Sequence, residues 1–398
     1  MDTHGDEGVD ARRGPAPSLW ELGRVYLGIS LLGFGGPNAH LALMLDEVVE
    51  RRGWLTREHF LELMAVTNLL PGPNSSEVAI HVGYTQRGWT GALTTGLAFL
   101  APTFVIVTAL SALYFRFGTL PQVDALFWGV QPVVVAIVIA AGVKIGRAAV
   151  KTRGQAVLAL VGAAASVASG AAIIVAMLGA GLLWAWRGSR PDSGARGPTS
   201  TTVTSVVLVP GLISIPGLIS FAAGGTLLTV FLTHLWIGAV LFGGGYVLVA
   251  LLEPYAVGEF GWLTATQFLD GVALTQAVPG PISTLSAFVG YAAAGLPGAV
   301  LGTVGVYLPA FTAVLLTAPR LERLRDVPVV RNALLGVVPV AAGAVLGVGA
   351  DLTLAGVRDP VAGALAVGAL VAAVWKKVPS LWLVAAGLGL GAVRALAF

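Results

Sequence analysis

The chain has no cysteine, which excludes disulfides, thiol catalysis and thiolate metal sites. Charge is scarce as well. Only 11% of the 398 residues are Asp, Glu, Lys or Arg, against about a quarter in soluble domains. With 56% of the residues hydrophobic, that scarcity excludes an ordinary soluble enzyme, a disordered chain and a nucleic-acid binder. The 23 basic and 20 acidic residues leave a net charge of +3, too small for a polyanion-binding field. No glycine-rich segment runs into Lys-Ser or Lys-Thr, so no ATP site is visible. No His or carboxylate cluster has metal-ligand spacing, and no cofactor is expected. Residues 1–18 lack the apolar core of a signal peptide and read as a disordered tail.

What is present is apolar sequence. A membrane-crossing helix needs about 20 apolar residues. Candidate stretches run over 19–45, 60–86, 89–115, 125–143, 154–187, 201–223, 226–252, 265–292, 296–318, 332–350, 360–375 and 379–396. The pattern predicts an all-α integral membrane protein of ten to twelve helical segments. Several stretches are interrupted. Gly35 and Gly36 sit inside the first, and Pro71-Gly72-Pro73 inside the second. Proline removes a donor and clashes with the preceding turn, so these are helix breaks. At membrane depth a break survives only where protein buries it or water lines it.

The chain also repeats itself. Phe34-Gly35-Gly36 recurs as Phe242-Gly243-Gly244, Gly53-Trp54-Leu55-Thr56 as Gly261-Trp262-Leu263-Thr264, and Pro71-Gly72-Pro73 as Pro279-Gly280-Pro281, all at one offset. One residue then drops out, and Gly83-Tyr84, Pro102 and Pro132 return as Gly290-Tyr291, Pro309 and Pro339. The expected organisation is a tail over 1–18, a first membrane repeat over 19–187, a linker with an extra apolar segment over 188–225, and a second repeat over 226–398.

Lys and Arg favour cytoplasmic loops. Residues 46–62 hold three Arg, whereas 254–270 hold no Lys or Arg. Residues 113–124 hold one Arg and 320–331 hold four; residues 144–153 hold four basic residues and 351–360 hold one. The bias alternates along each half and is opposite between halves. This predicts two inverted-topology repeats, with Arg187, Arg190, Arg196, Lys376 and Lys377 on the inside.

Paired broken helices in inverted repeats are the signature of secondary transporters, whose anionic substrates sit where half-helix N-termini aim free N–H groups. Asn68 precedes the first break by three residues, and Gln276 precedes the second. Hydroxyls follow each break, Ser75 with Ser76 and Ser283 with Thr284. An anion cradle is expected from Asn68, Gly72, Asn74, Ser75, Ser76, Gln276, Gly280, Ser283 and Thr284. The competing reading is that the hydroxyls only cap their own helices and Pro71, Pro73, Pro279 and Pro281 only shape them.

The elements Phe34-Gly35-Gly36, Gly53-Trp54-Leu55-Thr56, Leu70-Pro71-Gly72-Pro73-Asn74-Ser75-Ser76-Glu77, Gly83-Tyr84 and Pro102 resemble those of the chromate ion transporter family. So do Phe242-Gly243-Gly244-Gly245-Tyr246, Gly261-Trp262-Leu263-Thr264, Gln276-Ala277-Val278-Pro279-Gly280-Pro281 and Gly290-Tyr291. The resemblance covers about residues 19–395 and matches the family's two-domain, long-chain form. It implies chromate efflux across the cytoplasmic membrane, driven by proton-motive force, as resistance to a toxic sulfate look-alike. The apolar stretch 201–223 departs from the polar connection expected between the halves.

Ionisable groups inside membrane stretches are costly and so become functional candidates. Glu77 and His81 lie one turn apart after the first break, with no ionisable match in the second half. They are candidates for carrying the coupling proton, or for a fixed structural pair. Lys144, Arg147, Arg116 and Asp351 are candidate gate or electrostatic residues, against the plainer reading of helix-end charges that snorkel. The expected partners are chromate or a sulfate-like oxyanion, protons and the bilayer. Homo-oligomerisation is left open. The rival functions are a sulfate carrier or exchanger, an uncoupled anion channel and, on Glu77 and His81 alone, a membrane enzyme.

Overall fold

The computed structural model describes residues 16–118, 120–188, 226–320 and 327–397. Among them every regular element is helical. The first half contains α1 (Leu19–Leu32), α2 (Pro37–Leu45), α3 (Arg57–Thr67), α4 (Asn74–Phe117), α5 (Pro121–Ala149), α6 (Arg153–Ala168) and α7 (Gly170–Gly188). The second contains α8 (Thr226–Ala239), α9 (Gly245–Glu253), α10 (Ala265–Ala277), α11 (Leu285–Thr317), α12 (Pro328–Gly356), α13 (Pro360–Val374) and α14 (Ser380–Ala397). The described residues hold fourteen helices where ten to twelve segments were expected, because the Gly35, Pro71, Gly243 and Pro279 breaks each split an apolar stretch in two. Of the expected tail over 1–18, residues 1–15 lie outside the described residues, as do the extra apolar segment 201–223, Arg190 and Arg196; Ser18 is ordered and caps α1.

Local chemistry sets the boundaries. In each Gly-Trp-Leu-Thr motif the glycine takes a left-handed turn, φ 60° at Gly53 and 59° at Gly261. The threonine then caps the next helix: Thr56 Oγ1 accepts from His59 N–H and Thr264 Oγ1 from Gln267 N–H, satisfying donors that a helix start leaves free. Among the described residues ten glycines have positive φ, and they fall into five repeat pairs: Gly35 with Gly243, Gly36 with Gly244, Gly53 with Gly261, Gly72 with Gly280 and Gly88 with Gly295. Repetition in sequence is therefore repetition of backbone conformation.

Helices α4 and α11 are folded hairpins. Arg87 and Gly88 break α4, and Ala294 and Gly295 break α11. Thr95 Oγ1 donates to Ala79 O at 2.7 Å, although sixteen residues of straight helix would separate them by about 24 Å. Gly83 and Gly91 abut so closely that a Cβ on either would overlap the other's carbonyl, and Gly290 and Gly298 repeat that contact. The first arm of α4, residues 74–86, spans about 20 Å and the second, 89–117, about 43 Å. Only the second arm is long enough to cross a bilayer core of about 30 Å.

Helices α5 and α12 form the centre. Gly142 faces Leu346, Gly349 faces Ile139 and Gly356 faces Val135, so the two run antiparallel, as a two-fold axis across them requires. The last two helices of each half cross over. Helices α6 and α7 pack on α12, and α13 and α14 pack on α5. Gly129 meets Gly387 backbone to backbone, and Gly336 meets Ala180 in the same way. Such small-residue contacts hold helices together where lipid removes the hydrophobic drive. Among the described residues five stretches are long and apolar enough to cross a membrane: 74–117, 121–149, 170–188, 282–317 and 328–356. The outer faces carry Leu97, Leu160, Val167, Leu354 and Val393, a surface suited to lipid. The protein is a multi-pass membrane protein.

Candidate substrate and coupling site

The two proline breaks each dock on the glycine break of the opposite half. Gly72 N–H donates to Leu241 O at 2.8 Å, and Gly280 N–H donates to Gly33 O at 3.1 Å. Leu241 and Gly33 are repeat mates, so the two bonds are one contact made twice. Around them, Thr103 Oγ1 donates to Pro279 O at 2.8 Å, and the repeat position, Ala310, lies against Gly72. The first break thus faces an apolar methyl and the second a hydroxyl. Pseudo-symmetry brings together the breaks that the repeat predicted, and chemical identity is lost at their lining.

The individual candidates separate. Asn74 Nδ2 donates to Asn68 Oδ1, tying the two ends of the first break together, and Asn68 is exposed. Gln276 Nε2 donates to Tyr246 Oη at 2.8 Å. Thr284 Oγ1 donates back to Pro281 O at 2.8 Å, and no side chain caps the helix start at either proline break, so the capping reading does not hold there. Ser283 Oγ is hydrogen-bonded to Tyr307 Oη. Ser75 is buried. The Ser76 hydroxyl faces the same Tyr307 hydroxyl but has no hydrogen-bond partner of good geometry. Tyr307 therefore stands between the hydroxyls of the two breaks.

Glu77 follows on the first arm of α4. It is fully buried, neither carboxyl oxygen has a hydrogen-bond partner, and both ring nitrogens of His81 are likewise unpartnered. Glu77 Oε1 lies against Gly72 at the break itself, where a Cβ would come within 2.9 Å. Buried polar groups are ordinarily satisfied, so an orphaned carboxyl at a helix break calls for a partner such as a proton, a cation or water. At the other docking contact His40 Nε2 is hydrogen-bonded at 2.8 Å to Gly33 O, which also accepts from Gly280 N–H, and its Nδ1 has no partner.

The other charged candidates stand apart. Lys144, Arg147 and Asp351 are exposed, as is Arg116, whose guanidinium lies 5.3 Å over the Phe117 ring. They are rim residues and not part of the buried site. Among the described residues no group of three His, Asp or Glu side chains is placed to hold a metal.

Sequence reasoning missed a second polar cluster. Asp270 of α10 is 4% exposed. Its Oδ2 accepts from Tyr114 Oη at 2.7 Å and its Oδ1 from Gln131 Nε2 at 2.8 Å, from α4 and α5 of the other half. The signal was available, since Asp270 is the sole Asp, Glu, Lys, Arg or His between 265 and 292. Tyr307 and Tyr246 carried no comparable signal, because an aromatic in an apolar run reads as packing.

The comparisons with known proteins agree with this architecture. A family model described as Chromate transporter matches residues 20–185 and again 228–392. A probable chromate transport protein of Synechococcus elongatus is 31% identical over 84% of this chain and 84% of its own length. The chromate transport protein of Cupriavidus metallidurans is 32% identical over 84% and 82%, and that of Pseudomonas aeruginosa 34% over 77% and 74%. No solved structure matches the chain. With both halves matched and relatives of that likeness over most of its length, the chain belongs to the chromate transporter family and is a transporter, not an enzyme.

Proposed function

We propose that the protein is a secondary active transporter that exports chromate across the cytoplasmic membrane, driven by proton-motive force, and so confers chromate resistance. The observation that carries this reading is the reciprocal docking of the two proline breaks, with the orphaned Glu77 carboxyl and Ser76 hydroxyl beside them. A tetrahedral dianion needs several donors and no bare negative charge. Ser76, Ser283, Tyr307 and Asn74, with the first-turn N–H groups that begin α4, supply the donors. Glu77, with His81, carries the coupling proton; protonated, it lets the anion approach, and ionised, it repels it.

Two repeats, 19–187 and 226–398 joined by 188–225, lie inverted in the bilayer in this reading. The antiparallel α5 and α12 and the loop-charge reversal support it. Alternating access then follows from rocking one half on the other around the paired breaks.

The test is chromate flux into inside-out proteoliposomes, with and without an imposed pH gradient and with sulfate as competitor. Concentrative flux that follows the gradient is expected. Sulfate movement with no chromate movement would reassign the substrate to another oxyanion. Downhill flux indifferent to the gradient would reassign the protein as a channel.

A further inference from the structure

Helix α10 is a short bar between two glycine turns. Gly261, φ 59°, precedes it, and Gly280, φ 108°, follows it at the second proline break. Asp270, near its middle, ties it to the opposite half through Tyr114 and Gln131. Both carboxyl oxygens are used, each by a neutral donor from a different helix. The cluster continues outward to Arg358, which donates to Thr266 Oγ1 at 3.2 Å and lies 3.7 Å from Asp124.

One turn further along α10 there is free space. An apolar cavity of about 320 Å³ lies between α10, the corner of α4 with α5, and α14, lined by Ala273, Ala277, Tyr114, Phe127 and Val130 among others. Close-packed interiors transmit strain rather than yield, so a bar between two hinges moves where such room exists. The repeat mate of α10 is α3, between Gly53 and Gly72. Its residue at the Asp270 position is Glu62, whose side chain is 46% exposed. The repeat mate of Gln131 is Val338, which has no amide to donate. The two halves therefore differ at this position, buried at Asp270 and half-exposed at Glu62.

We propose that Asp270 is a positioning residue for transport: through Tyr114 and Gln131 it latches α10 to the first half and closes the face where α4 ends and α5 begins. The proposal rests on the alternating-access reading above. On the loop-charge assignment the closed face is the outer one. Opening breaks two hydrogen bonds between halves and swings α10 into the cavity beside it, which also moves Gln276 and the second break at its end.

The cysteine-free chain allows a direct test. Ala273→Cys places a reporter on the buried side of α10, and Ala65→Cys places one at the repeat mate on α3. Each is reacted with a membrane-impermeant maleimide in oriented proteoliposomes, in the parent, in Asp270→Asn and in the double variant Tyr114→Phe with Gln131→Leu. The expected result is labelling of Ala273→Cys about tenfold faster when the latch is cut, from the loss of two hydrogen bonds, and slower labelling of Ala65→Cys from the other side. General loosening would raise both rates and overturn the latch, as would unchanged rates at Ala273→Cys. The double variant, built from near-isosteric changes, keeps the test decisive should Asp270→Asn not fold. Opposite rate changes without chromate movement would keep the latch and withdraw the substrate. Uphill chromate transport with flat labelling would keep the transporter and withdraw the latch.

Discussion

Glu77 and Asp270 are both buried carboxyl groups, and they differ in what surrounds them. Asp270 is matched by two donors, whereas Glu77 has none, so the first is held and the second is available. Accordingly Glu77→Gln is expected to reduce pH-gradient-driven chromate flux at least about tenfold, with chromate binding measured by calorimetry changed much less; equal loss of both would mark Glu77 as structural. Gly280 is constrained by conformation and by space, because a Cβ there would overlap Thr103 Oγ1 at a positive φ. Gly280→Ala should cost roughly 1–3 kcal/mol and lower Tm in detergent, whereas Gly28→Ala, which meets nothing, should not. Asp359 outside the membrane caps α13. Its carboxylate accepts from Ala362 N–H, then Trp128 Nε1–H, and lies near Arg394, all of which hold its pKa below the usual value. A lowered carboxyl pKa adds stability above the unfolded value and loses it as pH falls through the folded one. Asp359→Ala should therefore lower Tm at pH 7, with the difference shrinking below about pH 4.

At the scale of elements, the broken helices were legible because proline and glycine have few conformational uses. Pro71-Gly72-Pro73 and Pro279-Gly280-Pro281 announce breaks whatever surrounds them. The breaks at Gly88 and Gly295 were legible as well, since the apolar stretches part at 86–89 and 292–296; the tight packing of the two arms was not. A glycine in an apolar helix reads equally as a packing site, and only the contact of Gly83 with Gly91 decides for a fold-back. Trp54 shows the same limit. Its motif suggests an interfacial anchor, yet it is buried, with its carbonyl accepting from Gln86 Nε2 at 3.0 Å. Pro71→Ala and Pro279→Ala should each reduce chromate flux several-fold, since each restores a donor and lets the break shorten; unchanged flux in both would move the substrate site elsewhere.

For the whole molecule, the central consequence is exchange between halves: neither half keeps its last two helices to itself. The halves should therefore not fold as separate units, and residues 19–187 expressed alone should fail to give a monodisperse species on size exclusion. Inversion predicts that Glu58→Cys and Glu259→Cys, both exposed, react with impermeant maleimide from opposite sides of the membrane. Reaction from one side would remove the inverted arrangement. The composition, the repeat and the paired glycine and proline breaks were determined by the sequence alone, because backbone breaks and membrane partition are set within a few residues. Which break docks on which, the burial of Asp270 between Tyr114 and Gln131, and the orphaned state of Glu77 were decided only by the tertiary structure. Those contacts join residues more than a hundred positions apart, and Gln131 and Glu77 have no chemical match in the other half.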